Sequence, residues 1–220
     1  ASAASTQVAY VSAVVTGTAR NDYSGWVGMQ IVVGANPLVV SELGRIVAPG
    51  NSGTHTVKLV RASDGIDVAG GAVSVALSGG TAGQFRYGAL ATPVTLSAGT
   101  AYLVLSQETS GGDAWYDNNT TLTTTNVAAA SGTVWGSGPG DWNVYPFANQ
   151  SYVPVSFKYA SGTAPVAPTI SVPANLVVEA TSGAGAVVTF TTSAVSSTGA
   201  VLTTANTPAS GATFAVGTTT

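Results

Sequence analysis

The chain has 220 residues, and its hydrophobic fraction of 45% is enough to fill a core, whereas charged residues make up only 7%. The net charge is −3 and the six Lys and Arg residues are scattered, so the clustered cations that bind nucleic acid or an anionic membrane surface are missing. The absence of cysteine excludes disulfides and thiolate chemistry, and no apolar run reaches the roughly 18 residues of a membrane-spanning helix.

Short segments rich in Val, Ile, Thr and Tyr alternate with clusters of Gly, Asn, Asp and Pro, and helical periodicity is almost absent. This pattern predicts an all-β fold that begins with an antiparallel, jelly-roll-like β-sandwich. The predicted strands cover residues 7–16, 26–33, 38–48, 54–61, 72–77, 84–88, 93–96, 101–107, 121–128, 132–136 and 152–159.

The strand at 54–61 has the clearest alternation of polar and apolar residues in the chain. Side chains two apart share a face of a strand, so His55, Val57 and Leu59 are predicted to be buried. By the same argument Lys58 is predicted to face solvent.

A change of pattern near residue 160 predicts a domain boundary. Residues 161–168 show no alternation and contain two prolines, which is typical of a short, semi-stiff linker. The predicted organisation is therefore one sandwich over residues 1–160, a linker over 161–168 and a second β-domain over 169–220.

The second segment resembles the hyalin-repeat family of immunoglobulin-like modules. The matching stretches are residues 168–181, 185–190 and 208–220. Many members of that family carry a cysteine pair, and here Val172 and Asn206 stand at those places, which implies a disulfide-free variant. The resemblance implies an immunoglobulin-like β-sandwich with a role in extracellular adhesion or in spacer arrays.

Members of that family continue for about two strands beyond the motif that ends this sequence at Thr220. Three explanations are open: further residues follow in the natural protein, a neighbouring molecule donates the missing strand, or the half-domain is loosely packed. The apolar stretch Thr6–Thr16 is the candidate donor strand, and its alternative role is the first strand of its own domain.

Residues 20–159 resemble a module that is repeated in large anchored bacterial surface proteins. The resemblance implies a β-sandwich at a bacterial cell surface and implies no activity. The small-residue start, Ala1–Ser5, fits the end left by signal-peptide removal, although a trimmed sequence would look the same. The stretches that carry the resemblance are Gly25–Met29, Leu43–Arg45, Gly50–Val60, Ser106–Asp117 and Tyr152–Val155.

The residues needed for common hydrolytic chemistry are missing or poorly placed. His55 is the single histidine, and it lies in an alternating strand with no nucleophile motif nearby. Glu108, Asp113 and Asp117 form the one acidic cluster, but a glycine-rich loop is a poor frame for a catalytic carboxylate pair. We therefore expect no enzymatic activity.

The same acidic cluster is a candidate calcium site. Glu108, Asp113 and Asp117 supply carboxylate oxygens, with amide oxygens at Asn118 and Asn119. Calcium takes six to eight oxygen ligands, often from one loop, but the spacing here does not match an EF-hand. A solvated turn without metal is the alternative interpretation.

Two aromatic segments are candidate glycan-binding loops. The first contains Trp115, Tyr116, Asp117 and Asn118, and the second contains Trp142 and Tyr145. Aromatic faces can cover the apolar side of a sugar ring while polar neighbours bind its hydroxyls. Packing in a core is the alternative role for each Trp.

Two functions are therefore expected, and neither is enzymatic. The first is a structural or adhesive module of a secreted or cell-surface protein, and one form of it is a self-assembling filament subunit completed by strand donation. The alternative is a carbohydrate-binding module that uses the loops around Trp115 and Trp142. The expected partners are a second copy of the chain or an extracellular glycan.

Overall fold

The computed structural model of the protein describes residues 7–161, 168–196 and 199–219. The chain divides into two compact units, Ala1–Ala164 and Pro165–Thr220. The described residues form strands and no helix, which confirms the all-β fold, and none of them forms a helix able to cross a membrane. Of the predicted linker at 161–168, residues 162–167 lie outside the described residues.

The described part of the first unit consists of antiparallel strands joined by tight turns. In chain order they are β1 (Val8–Ala9), β2 (Val11–Val15), β3 (Ala19–Arg20), β4 (Gly25–Val33), β5 (Leu38–Ile46), β6 (Thr54–Arg61), β7 (Asp67–Ala76), β8 (Phe85–Leu96), β9 (Ala101–Glu108), β10 (Trp115–Tyr116), β11 (Thr121–Thr124), β12 (Ala128–Gly138), β13 (Asp141–Tyr145) and β14 (Val155–Ser161).

Two sheets enclose the main core of the first unit. One has the order β13-β12-β4-β9-β6-β7 and the other β1-β14-β5-β8, while β10-β3 and β11-β2 form short ribbons. Met29 and Ile31 from β4 share this core with Leu43 from β5 and Phe157 from β14. Since buried side chains from both sheets meet in one cluster, the first unit is a sandwich.

The strand predicted at 54–61 is confirmed by β6, and His55, Val57 and Leu59 are buried as expected. The prediction that Lys58 faces water is wrong. Its ammonium lies 2.8 Å from Asp67 Oδ1 and 4.1 Å from the ring centre of Trp26.

The burial of Lys58 has a structural cause. Val60, Leu105 and Val134 form a second buried cluster on the outer face of the six-stranded sheet, and Trp26 and Trp142 pack over it. The sheet is therefore covered on both faces near β6, so an alternating pattern no longer separates buried from exposed positions.

The N-terminal segment is built into its own unit. β1 pairs with β14 and β2 with β11, so the described part of the predicted donor Thr6–Thr16 forms the unit's own strands. Tyr10 is fully buried, stacks on Phe157 at 4.6 Å and donates its hydroxyl hydrogen to the carbonyl of Ala128. If this segment left its own unit to complete a neighbouring molecule, the core of the first unit would be exposed.

The described residues of the second unit form two small sheets. One is β15-β17-β18 and the other β16-β19. The strands are β15 (Thr169–Ser171), β16 (Ala186–Val187), β17 (Ser193–Val195), β18 (Val201–Leu202) and β19 (Thr213–Phe214).

Few apolar side chains of the second unit are buried. Ala186 and Ala194 are the buried hydrophobic residues among its described positions. Its strands and connections instead expose large aliphatic side chains, namely Ile170, Val172, Leu176, Val177, Val178, Val187, Val195, Val201, Leu202 and Val216.

Tyr10 provides a test of the role of the first strands. We expect Tyr10→Ala to lower the free energy of unfolding of the first unit by roughly 3 kcal/mol, because a large buried aromatic side chain leaves a cavity. Urea unfolding followed by tryptophan fluorescence measures this unit alone, since all four Trp residues lie within it. Val15→Ala is the control, because Val15 is 72% exposed. Equal effects of the two substitutions would contradict the assignment.

Candidate ligand-binding site

A cavity of about 260 Å³ in the first unit is walled mainly by aromatic rings. We call it the aromatic pocket. Its walls come from β3, β4, β10, β12, β13 and two connecting segments, so residues far apart in the sequence meet there. The lining residues are Arg20, Tyr23, Val27, Trp115, Trp135, Tyr145 and Tyr152.

The first predicted aromatic segment divides between two environments. Trp115 pairs with Arg20 across β10 and β3 and lines the aromatic pocket. Tyr116 follows it in the same strand and packs with Ile46 and Ala48. Successive side chains of a strand point to opposite faces, so only one of the two can serve the pocket.

The second predicted segment divides in the same way, because it is strand β13 and not a loop. Trp142 packs on the outer face of the sheet, and its Nε1 donates to the carbonyl of Gly65 at 3.2 Å. Tyr145 comes three positions after Trp142, and residues an odd number of positions apart lie on opposite faces of a strand. Tyr145 therefore lies on the other face of the sheet and lines the aromatic pocket. The predicted binding role of Trp142 therefore has no counterpart in the pocket.

Arg20 forms the charged rim of the aromatic pocket. Its Nε and Nη2 donate to the two carboxylate oxygens of Asp22, and its Nη1 donates to Asp117 Oδ2 at 3.1 Å. Its guanidinium also lies 5.0 Å from the ring centre of Trp115. The hydrogen bond to Asp22 raises the pKa of Arg20 and lowers that of Asp22, so the rim stays ionised.

The rings of the pocket hold one another in place. Tyr23 meets Trp135, and Tyr152 meets Trp115, in edge-to-face contacts with ring centres 6.2 Å apart. Burial raises the pKa of Tyr23 and Tyr152, so both hydroxyls remain protonated and can donate hydrogen bonds. Trp115 is 2% exposed, and its buried Nε1 has no hydrogen-bond partner among the described residues.

Glu108, the first predicted calcium ligand, lies inside the sandwich. Arg45 donates to it twice, from Nε to Oε1 and from Nη2 to Oε2, each at 2.9 Å. Ser106 Oγ donates to Oε1 at 2.6 Å. Burial alone would raise the pKa of Glu108, but hydrogen bonds from His55 and Arg45 outweigh it and lower the pKa. The carboxylate is therefore charged and already satisfied.

Asp113, the second predicted ligand, fastens its loop to β6. Its Oδ1 accepts from the amide of Ser52, and its Oδ2 accepts from the amide of Gly53 and faces His55 Nε2 at 3.1 Å. On the other side of the ring, His55 Nδ1 lies 2.9 Å from the carbonyl of Gln107. Both neighbours can only accept, so both ring nitrogens carry hydrogen.

Asp117, the third predicted ligand, belongs to the rim described above. Its Oδ1 accepts from the amide of Asn118, and its Oδ2 from Arg20. All three predicted carboxylates are thus engaged by protein donors, and His55 contacts both Glu108 and Asp113. Within residues 7–161, 168–196 and 199–219, no group of three or more His, Cys, Asp or Glu side chains is placed to hold a metal ion. Asn118 itself does not line the aromatic pocket.

Arg20, Tyr23 and Tyr152 are pocket residues that the sequence did not single out. Arg20 reaches the pocket through the pairing of two strands of two residues each, which are too short to leave a periodic signal. The two tyrosines lie in connecting segments.

A scan against protein-family models finds no match, and a search of curated proteins finds none either.

His55 makes the stability of the first unit depend on pH. Burial and the charge of Arg45 oppose protonation, but Glu108 and the Gln107 carbonyl raise the pKa of His55 above 6.5. When the pKa of a histidine is higher in the folded state than in the unfolded state, its protonation stabilises the fold. This stabilisation is fully present at pH values below the unfolded-state pKa, and it is lost as the pH rises through the folded-state pKa.

We therefore expect the urea midpoint of the first unit to fall as the pH rises from about 6.5 to about 8.5. His55→Gln should remove most of this slope, because His55 is the single histidine of the chain. A slope that is the same in the variant would contradict the assignment.

Below about pH 4 stability falls for another reason, since Glu108 and Asp113 have lowered pKa values and become protonated there.

Proposed function

We propose that the chain is a non-enzymatic structural and adhesive module of a secreted or cell-surface protein, and that its first unit binds a saccharide ring of an extracellular glycan. The observation that carries this proposal is the aromatic pocket, in which five aromatic side chains surround a cavity of about 260 Å³. Sugar rings have an apolar face that aromatic rings cover, and ligand sites combine such walls with a few polar groups.

The composition of the pocket supports binding without catalysis. Its lining contains Arg20 and aromatic residues but no Asp, Glu or His, so the paired carboxylates of glycoside cleavage are missing from it. His55 and Glu108 are engaged elsewhere, in the buried network with Arg45. A bacterial surface is the proposed setting, in line with the resemblance of residues 20–159 to surface modules.

Tyr145 offers the sharpest test of glycan binding. It lies on the pocket rim with 43% of its surface exposed, and Val144, on the other face of β13, is 41% exposed. Tyr145→Ala should weaken binding about fivefold to tenfold, since an aromatic contact contributes on the order of 1 kcal/mol. Val144→Ala should leave binding unchanged.

The measurement is a glycan array, followed by titration calorimetry with the glycan that gives the strongest signal on the array. Tryptophan fluorescence in urea confirms that both variants remain folded. An array without any bound glycan would contradict the proposed function, and so would a Tyr145→Ala variant that binds like the wild type.

A second candidate function is self-assembly through the second unit. Its described part surrounds an open trough of about 750 Å³, and large aliphatic side chains such as Leu176 and Val178 line it. Glu179 is the one charged residue after Lys158, so two copies of this unit meet little electrostatic repulsion. Exposed apolar strands with free edges are templates for pairing, and we infer that a second copy of the chain covers this face.

Assembly is tested with charge substitutions that cost the fold little. Val172 is 67% exposed and Val216 is 74% exposed, and both line the trough, so Val172→Asp and Val216→Asp should abolish association without unfolding the unit. Val15→Asp, on an exposed position of the first unit, is the control and should associate like the wild type. Sedimentation velocity over a wide concentration range measures this. A wild type that stays monomeric throughout would overturn the assembly role.

A further inference from the structure

We propose that the aromatic pocket holds one uncharged sugar ring at the end of a glycan chain, and that the indole N–H of Trp115 donates a hydrogen bond to an oxygen of that ring. This proposal rests on the glycan-binding function proposed above and specifies its ligand. Four properties of the pocket lead to it: an unsatisfied indole N–H, charge balance, an occupied cation position and a small volume.

One of the unsatisfied polar atoms belongs to a residue that lines the pocket, and the other lies in a neighbouring strand. Among the described residues, two buried side-chain polar atoms lack a hydrogen-bond partner, Trp115 Nε1 and Thr133 Oγ1. Trp115 lines the pocket, and Thr133 stands directly opposite Tyr145 in the pairing of β12 with β13. An indole nitrogen can only donate, and a buried donor without an acceptor is rare in folded proteins. A ligand oxygen in the cavity would satisfy it.

The charge of the rim favours a neutral ligand. The guanidinium of Arg20 faces two carboxylates, Asp22 and Asp117, so the rim has one net negative charge. The two carboxylates take three of the five N–H donors of Arg20, including the Nε and Nη2 pair that binds a carboxylate at two points. An acidic sugar would therefore meet repulsion without compensation.

A cationic ligand is disfavoured for a different reason. Aromatic pockets attract cations to the faces of their rings, and Trp is the strongest partner. Here Arg20 already lies over the Trp115 ring. A ligand therefore has the edge of Trp115, with its N–H, and the remaining rings available to it.

The small size of the pocket favours the end of a chain. Trp115 is almost completely buried, and Tyr145 on the rim is partly exposed. The volume of about 260 Å³ lies below the usual range of ligand sites. A single ring fits a cavity of this size, whereas an internal stretch of polysaccharide places several rings along its binding site.

The hydrogen bond can be observed directly in the wild type. The chain has four Trp residues, so a ¹⁵N–¹H spectrum contains four indole signals. On titration with a neutral methyl glycoside we expect the Trp115 signal to shift downfield and that of Trp142, which already has an acceptor in Gly65, to remain. Trp115→Phe and Trp142→Phe assign the two signals.

The same variants measure the importance of the N–H group. Trp115→Phe keeps an aromatic ring and should weaken binding of the methyl glycoside about fivefold to tenfold. Trp142→Phe should leave the affinity unchanged. If Trp115→Phe does not fold, Trp26→Phe, Trp135→Phe and Trp142→Phe assign the Trp115 signal by elimination. The wild-type titration and the two comparisons below then still decide the proposal.

Two comparisons test the ligand class. A methyl glucuronide and choline should each bind at least about tenfold more weakly than the neutral glycoside, and Asp22→Asn should reduce the discrimination against the glucuronide. Oligosaccharides of increasing length should bind with equal affinity per mole of chain.

The outcomes separate this inference from the function on which it rests. If neither the array nor the glycosides give binding, the proposed function fails. If a glycan binds, three results would overturn the inference alone: an unshifted Trp115 signal, preference for the glucuronide or choline, or affinity that grows with the number of internal rings.

Discussion

The first unit depends on one buried ion pair, Arg45 with Glu108, which joins β5 of the four-stranded sheet to the end of β9 in the six-stranded sheet. Two buried charges cost much desolvation energy, and such a pair is tolerated when every donor and acceptor is satisfied. Here Arg45 also donates to the carbonyls of Ile46 and Ala114 and to Asn51 Oδ1. The bond to Ala114 fixes the residue immediately before Trp115, so the base of the aromatic pocket is positioned by the same pair that joins the sheets.

This connection makes the pocket a preformed site, whereas the second unit is built on different principles. Rings held by a sandwich core lose little freedom when a ligand arrives, which favours recognition of a small, rigid ring. The described part of the second unit has no comparable buried network, and it contains no Trp or Tyr. Its large aliphatic side chains are mostly exposed. The two units therefore suit the two kinds of contact proposed above, a small ligand for the first and a second copy of the chain for the second.

The sequence predicted the all-β class and the strand at Thr54–Arg61, because alternation at period two is a local signal. It could not predict the environment of Lys58, which depends on Trp26 and Trp142 from other strands. The sequence could not predict the surroundings of Glu108 for a similar reason. Its partner Arg45 lies 63 residues away, and nothing local marks that pairing.

The aromatic segments show how much one missed strand changes a site prediction. Had β13 been predicted as a strand, its period would have placed Trp142 and Tyr145 on opposite faces. The structure also separates two tryptophans that look alike in the sequence. Trp142 packs on the outer face of the sheet and gives its N–H to Gly65, whereas Trp115 is buried with an N–H that finds no described partner.

Backbone strain lies close to the same pocket. Val153, which follows the lining residue Tyr152, has a φ of 39°, a value that β-branched residues rarely adopt. Natural sequences break such local rules mainly where a site requires it. In this chain the strained residue follows a pocket residue, and Trp115, whose indole N–H has no described partner, lines the same pocket, while the buried charges of Arg45 and Glu108 are fully satisfied. That contrast supports the proposal that the pocket, rather than the acidic cluster, is the binding site.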